Sequence, residues 1–271
     1  MITASIVLFH HSCNDITKLL NCLLNSSIST IYIIDNSNSD VLRSLTKIST
    51  KIIYIHNINN GYGNAHNIAI HEAIEIGSVY HVIINPDIYF KKGVIEELSY
   101  YMDQNPSCGL LMPKILYPNG EIQYLCKLLP TPLDLFVRRF IPLKKINQNH
   151  DYRYELHFTN YDKIMEVPSL SGCFMFIRTD ILKQIGGFDE QYFMYAEDID
   201  LCRRIRKTSK TLFYPFVHVY HKYEKGSYKN KKLLKYHICS VIKYFNKWGW
   251  FFDRERKLIN KQLFDELNYK Q

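Results

Sequence analysis

The run ITASIVLFHHSCNDITKLLNCLLNSSISTIYII, Ile2 to Ile34, decides the fold class. Ile2 to Phe9 alternates in the manner of a strand. Behind Asn14 or Asp15 as a cap, Ile16, Leu19, Leu20, Leu23 and Leu24 then recur at helical spacing. Thr30 to Ile34 returns to β-branched residues. Strand, helix and strand in succession make a crossover unit, which lays the two strands parallel with the helix on one face. The pattern continues through a strand at Lys51 to His56, an amphipathic helix over Asn64 to Ile76, a buried strand at His81 to Ile84 and a helix over Val94 to Met102. This order predicts an α/β chain with a mostly parallel central sheet flanked by helices.

Beyond Gly109 the pattern changes to hairpin-like runs around Pro118-Asn119-Gly120. Pro130 to Glu166, rich in Pro, Asn, Lys and aromatics, reads as one long irregular binding loop. Regular structure resumes with a strand from Gly172 to Ile177, a helix over Thr179 to Ile185, a Gly186-Gly187 turn and a helix beginning near Glu197. Residues 226–271 form a C-terminal basic amphipathic helical segment: Leu234, Ile238, Val241, Phe245 and Trp248 fall on one stripe, with Lys235, Lys243 and Lys247 off it. Such a helix either packs on its own domain with a solvated basic face, or docks on an anionic membrane surface, helped by Trp248, Trp250, Phe251 and Phe252.

With 271 residues, 46% of them hydrophobic, the chain can bury a sizeable core. Its apolar runs, such as Cys173 to Ile177, fall far short of the ~20 residues of a spanning helix. Met1 to Phe9 has no preceding Lys or Arg, so it reads as a strand rather than a secretory signal, and the expected location is the cytosol. The seven cysteines include no C-x-x-C pair, which argues for reduced thiols rather than a disulfide framework or structural zinc. A net charge of +8 favours a polyanionic partner: nucleic acid, anionic lipid or a phosphorylated substrate.

In open parallel sheets, ligands bind beyond the carboxyl ends of the strands. Polar clusters stand at such ends: Asp35-Asn36-Ser37, then Asn59-Asn60-Gly61-Tyr62-Gly63, then Asn85-Pro86-Asp87. Each alone is ordinary turn chemistry, and their convergence on one rim is the pointer to function. A dinucleotide reading of Gly61-Tyr62-Gly63 fails, because His66 holds the third glycine position and the segment follows the third strand. Asp87 suits a hard cation bridging a diphosphate. The richest stretch, GGFDEQYFMYAEDIDL from Gly186 to Leu201, gathers carboxylates among aromatics at a helix start. On a helix Asp198 and Asp200 point about 200° apart. One is placed to act as a base and the other to make a structural contact, with Arg203 or Arg204 in reach. His218 and His221 have no zinc signature around them.

DNSNSD (Asp35 to Asp40), NNGYGNAHN (Asn59 to Asn67), NPD (Asn85 to Asp87), SGCFMFIR (Ser171 to Arg178) and GGFDEQYFMYAEDIDLCRR (Gly186 to Arg204) together resemble glycosyltransferase family 2, especially its bacterial rhamnosyltransferase-like branch, over about residues 3–225. The resemblance implies a GT-A fold for residues 1–225, a nucleoside-diphosphate sugar donor, Mg2+ or Mn2+, and inversion at the anomeric carbon. It puts Asp198 at the catalytic base and Asp35, with Asn60 and Gly61, at the nucleotide. Asp87 falls on the last position of the family's D-x-D metal motif, whose first Asp is here Asn85. His221 takes the late metal or diphosphate histidine, with His218 as the alternative. Glu197, Tyr195 and Tyr192 fall at the acceptor or sugar pocket. The implied activity is transfer of L-rhamnose from dTDP-rhamnose to a glycan or polyprenyl-diphosphate-linked acceptor in surface polysaccharide synthesis, by an enzyme peripheral on the cytoplasmic face of the inner membrane. The alternatives are a UDP-hexose or UDP-N-acetylhexosamine donor and, from another class, a nucleotide- or nucleic-acid-binding module, which would have no use for the Asp-rich stretch. The glycosyltransferase reading itself expects no nucleic acid partner.

Overall fold

The structure, a computed structural model, describes residues 1–135, 144–222 and 231–269. Strand β1 (Ile2–Leu8) leads into helix α1 (Cys13–Leu24) and strand β2 (Thr30–Asp35), the expected crossover unit. The helix starts ahead of Asn14 because the Asp15 carboxylate reaches back to accept the Ser12 backbone N–H at 2.7 Å. Strand β3 (Ile52–His56), helix α2 (Tyr62–Glu75) and strand β4 (Tyr80–Ile84) extend the same pattern. β1 pairs in parallel with both β2 and β4, and β2 with β3, so all four carboxyl ends open on one rim.

Short β5 (Ile88–Phe90), helix α3 (Val94–Gln104) and long β6 (Cys108–Leu116) follow, and Leu116 bridges Ile122 across the expected turn at Pro118–Gly120. β7 (Cys126–Lys127) pairs with β9 (Ser169–Leu170) outside the main sheet. β10 (Phe174–Arg178) enters antiparallel between β4 and β6, and β11 (Lys210–His221) runs parallel to β6. The strand order is β3-β2-β1-β4-β10-β6-β11-β5, with β8 (Met165–Glu166) beside β11. This is a GT-A architecture: a central, mostly parallel sheet under helices, with β10 inserted antiparallel and β5 and β8 antiparallel beside β11. Because β10 runs backwards, its leading residues Ser171 to Cys173 lie on the same rim as the ends of β1 to β4. The end of β11 falls there too, since His221 pairs with Ile88 just past Asp87.

The stretch from Pro130 to Glu166 is not the single irregular loop that its composition suggests. It holds helix α4 (Lys144–Tyr154), a turn of 3-10 helix at His157–Thr159 and β8. The helix escapes sequence reading because its few apolar residues do not recur at helical spacing. After helix α5 (Thr179–Ile185) comes α6 (Glu197–Ile205), then α7 (Lys231–Trp248) and α8 (Arg254–Glu266). The apolar stripe of α7 turns inward: Val241, Tyr244 and Phe245 form a buried cluster with Tyr192 and Ala196. For that stripe, packing on the chain's own body is therefore the arrangement found. No helix among the described residues is long and apolar enough to cross a membrane.

Candidate active site

The rim collects the three polar clusters that the sequence singles out, and each is held by a different bond set. Asp35 is fully buried, with Oδ1 accepting the Ser37 N–H at 2.9 Å and Oδ2 accepting the Tyr54 hydroxyl at 2.8 Å. Asp35 thereby shapes the turn that leaves β2. Exposed Asn60 precedes Gly61, whose φ of +114° is open to glycine alone without strain. A Cβ at Gly61 would stand 2.4 Å from the Phe193 carbonyl oxygen, the same oxygen that accepts the Tyr62 N–H at 2.8 Å. Nearby, Asn67 Nδ2 donates to the Phe188 carbonyl and its Oδ1 accepts the Phe188 N–H, at 2.9 and 2.8 Å. The NNGYGNAHN segment is thus sewn to the 186–204 segment by backbone bonds.

Asp87 and His221 meet, although 134 positions separate them in the chain. His221 Nε2 lies 3.3 Å from Asp87 Oδ1. Gln123 sets the ring: its Nε2 donates to the His221 carbonyl at 2.7 Å, so its Oε1 is the atom 2.9 Å from His221 Nδ1. An acceptor there makes Nδ1 a donor and leaves Nε2 as the ring nitrogen that faces Asp87. A carboxylate oxygen and an imidazole nitrogen on one side of a cleft suit Mg2+ or Mn2+, with diphosphate and water completing the shell. Among the described residues no cluster of three or more His, Cys, Asp or Glu side chains stands ready for a metal ion, as expected where Asn85 supplies a neutral amide. His218 is not part of this contact; its ring edges against Tyr220.

Tyr62 links this end of the site to the carboxylates of α6. Its hydroxyl is 3.0 Å from Asn85 Oδ1 and 2.9 Å from the Gly172 carbonyl. The next bond along is the Gly172 N–H, which donates to Asp198 Oδ2 at 3.1 Å, while Asp198 Oδ1 accepts the Ile199 N–H at 2.9 Å. Burial pushes the Asp198 carboxyl above the usual carboxylate range, opposed by the Gly172 N–H and by the positive charge of Lys127. Glu197 is raised too, first by burial and then by the charge on Asp198, and its Oε2 has no hydrogen-bond partner among the described residues. Tyr195 and Ala196, at φ of 73° and 64°, force the chain into this helix start, a strained backbone of the kind that gathers at functional sites.

Other side chains fall elsewhere. Tyr192 is wholly buried against Val241, Tyr244 and Phe245, so it does not face an open sugar pocket as the resemblance implies. Half-buried Tyr195 sets its ring edge-on to His237 of α7. Asp200 is the structural member of its pair, bound to Arg204 Nε at 2.7 Å and to the Trp248 indole N–H at 2.8 Å. Tyr62, Gln123 and Lys127 were not singled out from the sequence. Tyr62 lies inside a recognised motif, but nothing in the spacing marks Gln123, 98 residues from the histidine it orients.

The profile of the family described as Glycosyltransferase like family 2 matches residues 14–237. The chain belongs to that family. This family 2 glycosyltransferase is 24% identical to rhamnosyltransferase WbbL of Escherichia coli K12, over 97% of each chain. It is 29% identical, over 60% of its own length and 56% of the other, to an N-acetylglucosaminyl-diphospho-decaprenol L-rhamnosyltransferase of Mycobacterium tuberculosis. Among solved structures, GalNAc-T7 with UDP, GalNAc and Mn2+ superimposes with a TM-score of 0.63 at 13% identity, covering 100% of this glycosyltransferase and 55% of that protein.

Proposed function

We propose that this glycosyltransferase moves L-rhamnose from dTDP-rhamnose, with inversion, to a polyprenyl-diphosphate-linked acceptor at the cytoplasmic face of a membrane. The observation that supports the chemistry is the run of contacts from Asn85 through Tyr62 and Gly172 to Asp198, with the Asp87–His221 pair two residues beyond Asn85 on the same rim. The rhamnose and the lipid acceptor follow the names of the two relatives. A UDP-hexose or UDP-N-acetylhexosamine is the competing donor, and the UDP in the GalNAc-T7 structure keeps it in view.

In this reading Asp198 takes the proton of the acceptor hydroxyl as that oxygen attacks the anomeric carbon from the face opposite the diphosphate. Its two backbone N–H bonds fix the carboxylate, and its raised affinity for a proton fits general-base work near neutral pH. Asp87 and His221, held by Gln123, would hold a divalent cation of the kind bound in GalNAc-T7. When bound, that ion supplies positive charge to the departing diphosphate. Asn60 and Gly61 line the nucleotide side of the rim, beside the turn that buried Asp35 holds. Glu197, kept largely protonated by burial and by Asp198, can donate a hydrogen bond to a sugar hydroxyl.

The test is turnover of purified full-length enzyme with dTDP-rhamnose, UDP-glucose and UDP-N-acetylglucosamine, using a short-chain polyprenyl-diphosphate N-acetylglucosamine acceptor. A deoxy-sugar pocket leaves the extra hydroxyl of a hexose unpaired, so dTDP-rhamnose should lead by at least ~10-fold. A lead by either UDP sugar overturns the donor. Asp87→Ala should weaken dTDP binding when Mn2+ is present and leave metal-free binding unchanged; equal loss in both conditions removes Asp87 from the metal.

A further inference from the structure

Past β7 the chain runs from Lys127 through Pro130 into a cleft of about 390 Å³ between that segment, Arg153 of α4 and the α7–α8 turn. Its charged lining is entirely basic among the described residues: Arg153, Arg256, Lys257 and Lys261. The acidic residues of the same turn are already committed, since Arg203 binds Asp253 at 2.7 Å and Glu255 at 2.7 Å. Arg256 is 3% exposed; its Nη atoms donate to the Pro130 and Trp250 carbonyls, and its Nε has no hydrogen-bond partner among the described residues. Beside these cations stand apolar side chains that the fold leaves in water: Phe251 is 69% and Phe252 96% exposed, with Leu133 at 67% and Leu258 at 58%. Aromatics at a turn tip next to a ring of cations match the two zones of a lipid interface, acyl boundary and phosphate layer.

The position of this cleft also matters. β7 pairs with β9, which leads directly to Gly172 and its bond to Asp198, and the charge of Lys127 bears on that carboxylate. Thr131 at the cleft is four positions beyond Lys127, a span of at most ~14 Å.

We propose that the Phe251–Phe252 turn and the basic cleft behind it are the surface by which this enzyme docks on an anionic lipid bilayer. Phe251 and Phe252 enter the interface, Lys257 and Lys261 meet lipid phosphates, and the segment from Thr131 back to Lys127 points from the membrane toward the base. The exposed lysines on the outer face of α7 are then not the main contact. This deepens the membrane-borne acceptor reading and rests on it only for its purpose, because docking itself needs no acceptor.

The experiment is flotation of full-length enzyme with phosphatidylcholine vesicles, with and without phosphatidylglycerol, at low salt. Wild type should bind the phosphatidylglycerol vesicles and not the neutral ones, with a blue shift in the emission of Trp250, which lines the cleft. Lys257→Glu/Lys261→Glu should lose at least ~30-fold in vesicle affinity. Phe251→Ser/Phe252→Ser should lose at least ~10-fold. Lys231→Glu/Lys235→Glu, on the exposed side of α7, should keep most of the binding. Absence of binding, equal binding to neutral vesicles, or loss in the α7 variant instead of the turn variants overturns the proposal; selective binding of a protein or nucleic acid in place of vesicles does the same. Sugar transfer to a detergent-solubilised acceptor, measured on the same variants, keeps the two ideas apart: it should be unchanged if only docking is altered. Its absence in a wild type that still floats would sink the transfer reading and leave docking standing.

Discussion

Two neighbourhoods of α6 hold carboxylates and treat them in opposite ways. At the first turn Glu197 and Asp198 face the rim with no cation in direct contact among the described residues; two backbone N–H groups hold Asp198, and Glu197 Oε2 has no partner among those residues. A step further round the helix, Asp200 is ringed by Arg204, Lys247 and the Trp248 indole, each at 2.6 to 2.8 Å. Arg203 extends that seam to Asp253 and Glu255 and lies 4.3 Å from the Trp248 ring centre. The compensated carboxylates tie the C-terminal helices to the body. The uncompensated ones pay in desolvation for a proton affinity that chemistry can use.

The largest expected effect breaks the comparison on the chemical side. Asp198→Asn keeps the shape of the helix start and removes proton acceptance, so turnover should fall at least ~100-fold with donor affinity little changed. Steady-state kinetics check it, and near-wild-type turnover would remove Asp198 as the base. The wild-type pH–rate profile sharpens the same point. A base whose carboxyl is raised must still lose its proton, so the acidic limb should lie above the usual carboxylate range, with activity lost as pH falls through it.

On the structural side, Arg203→Ala takes from buried Asp253 its two-pronged partner, leaving only Arg256 at 4.0 Å among the described residues, and should cost about 3 kcal/mol of stability. Urea unfolding measures this. The figure is the cost of breaking the pair and not its worth against an apolar replacement. If activity per folded molecule dropped as much as stability, the seam would belong to the chemistry after all.

A smaller effect comes from Glu197→Gln. In the folded chain Glu197 keeps its proton to a higher pH than in the unfolded chain, so native stability falls as pH rises from the ordinary carboxylate range through the raised value. The amide avoids that loss. Thermal unfolding should therefore show the variant level with wild type in acid and more stable in alkali. A variant that is less stable at every pH would mean that Glu197 makes a structural contact as Asp200 does.

Much of this contrast was legible in the residues themselves. The order of strands and helices follows from spacings of two and of three to four, which are local properties of the chain. The rim clusters Asp35, Asn60-Gly61 and Asn85–Asp87 fall at strand ends for the same reason, and helical geometry alone separates Asp198 from Asp200 on α6. What only the tertiary structure decided is the choice of distant partners. Gln123 finds His221, Arg203 finds Asp253, and Tyr192 turns into the α7 interface instead of the site. The antiparallel entry of β10, which brings Gly172 to the rim, is of the same kind. So is the turn of the α7 stripe inward, which leaves Phe251 and Phe252 among the apolar residues in water. Periodicity encodes which face of an element is apolar; it carries no information on which other face will cover it, because that is settled by packing the whole chain at once.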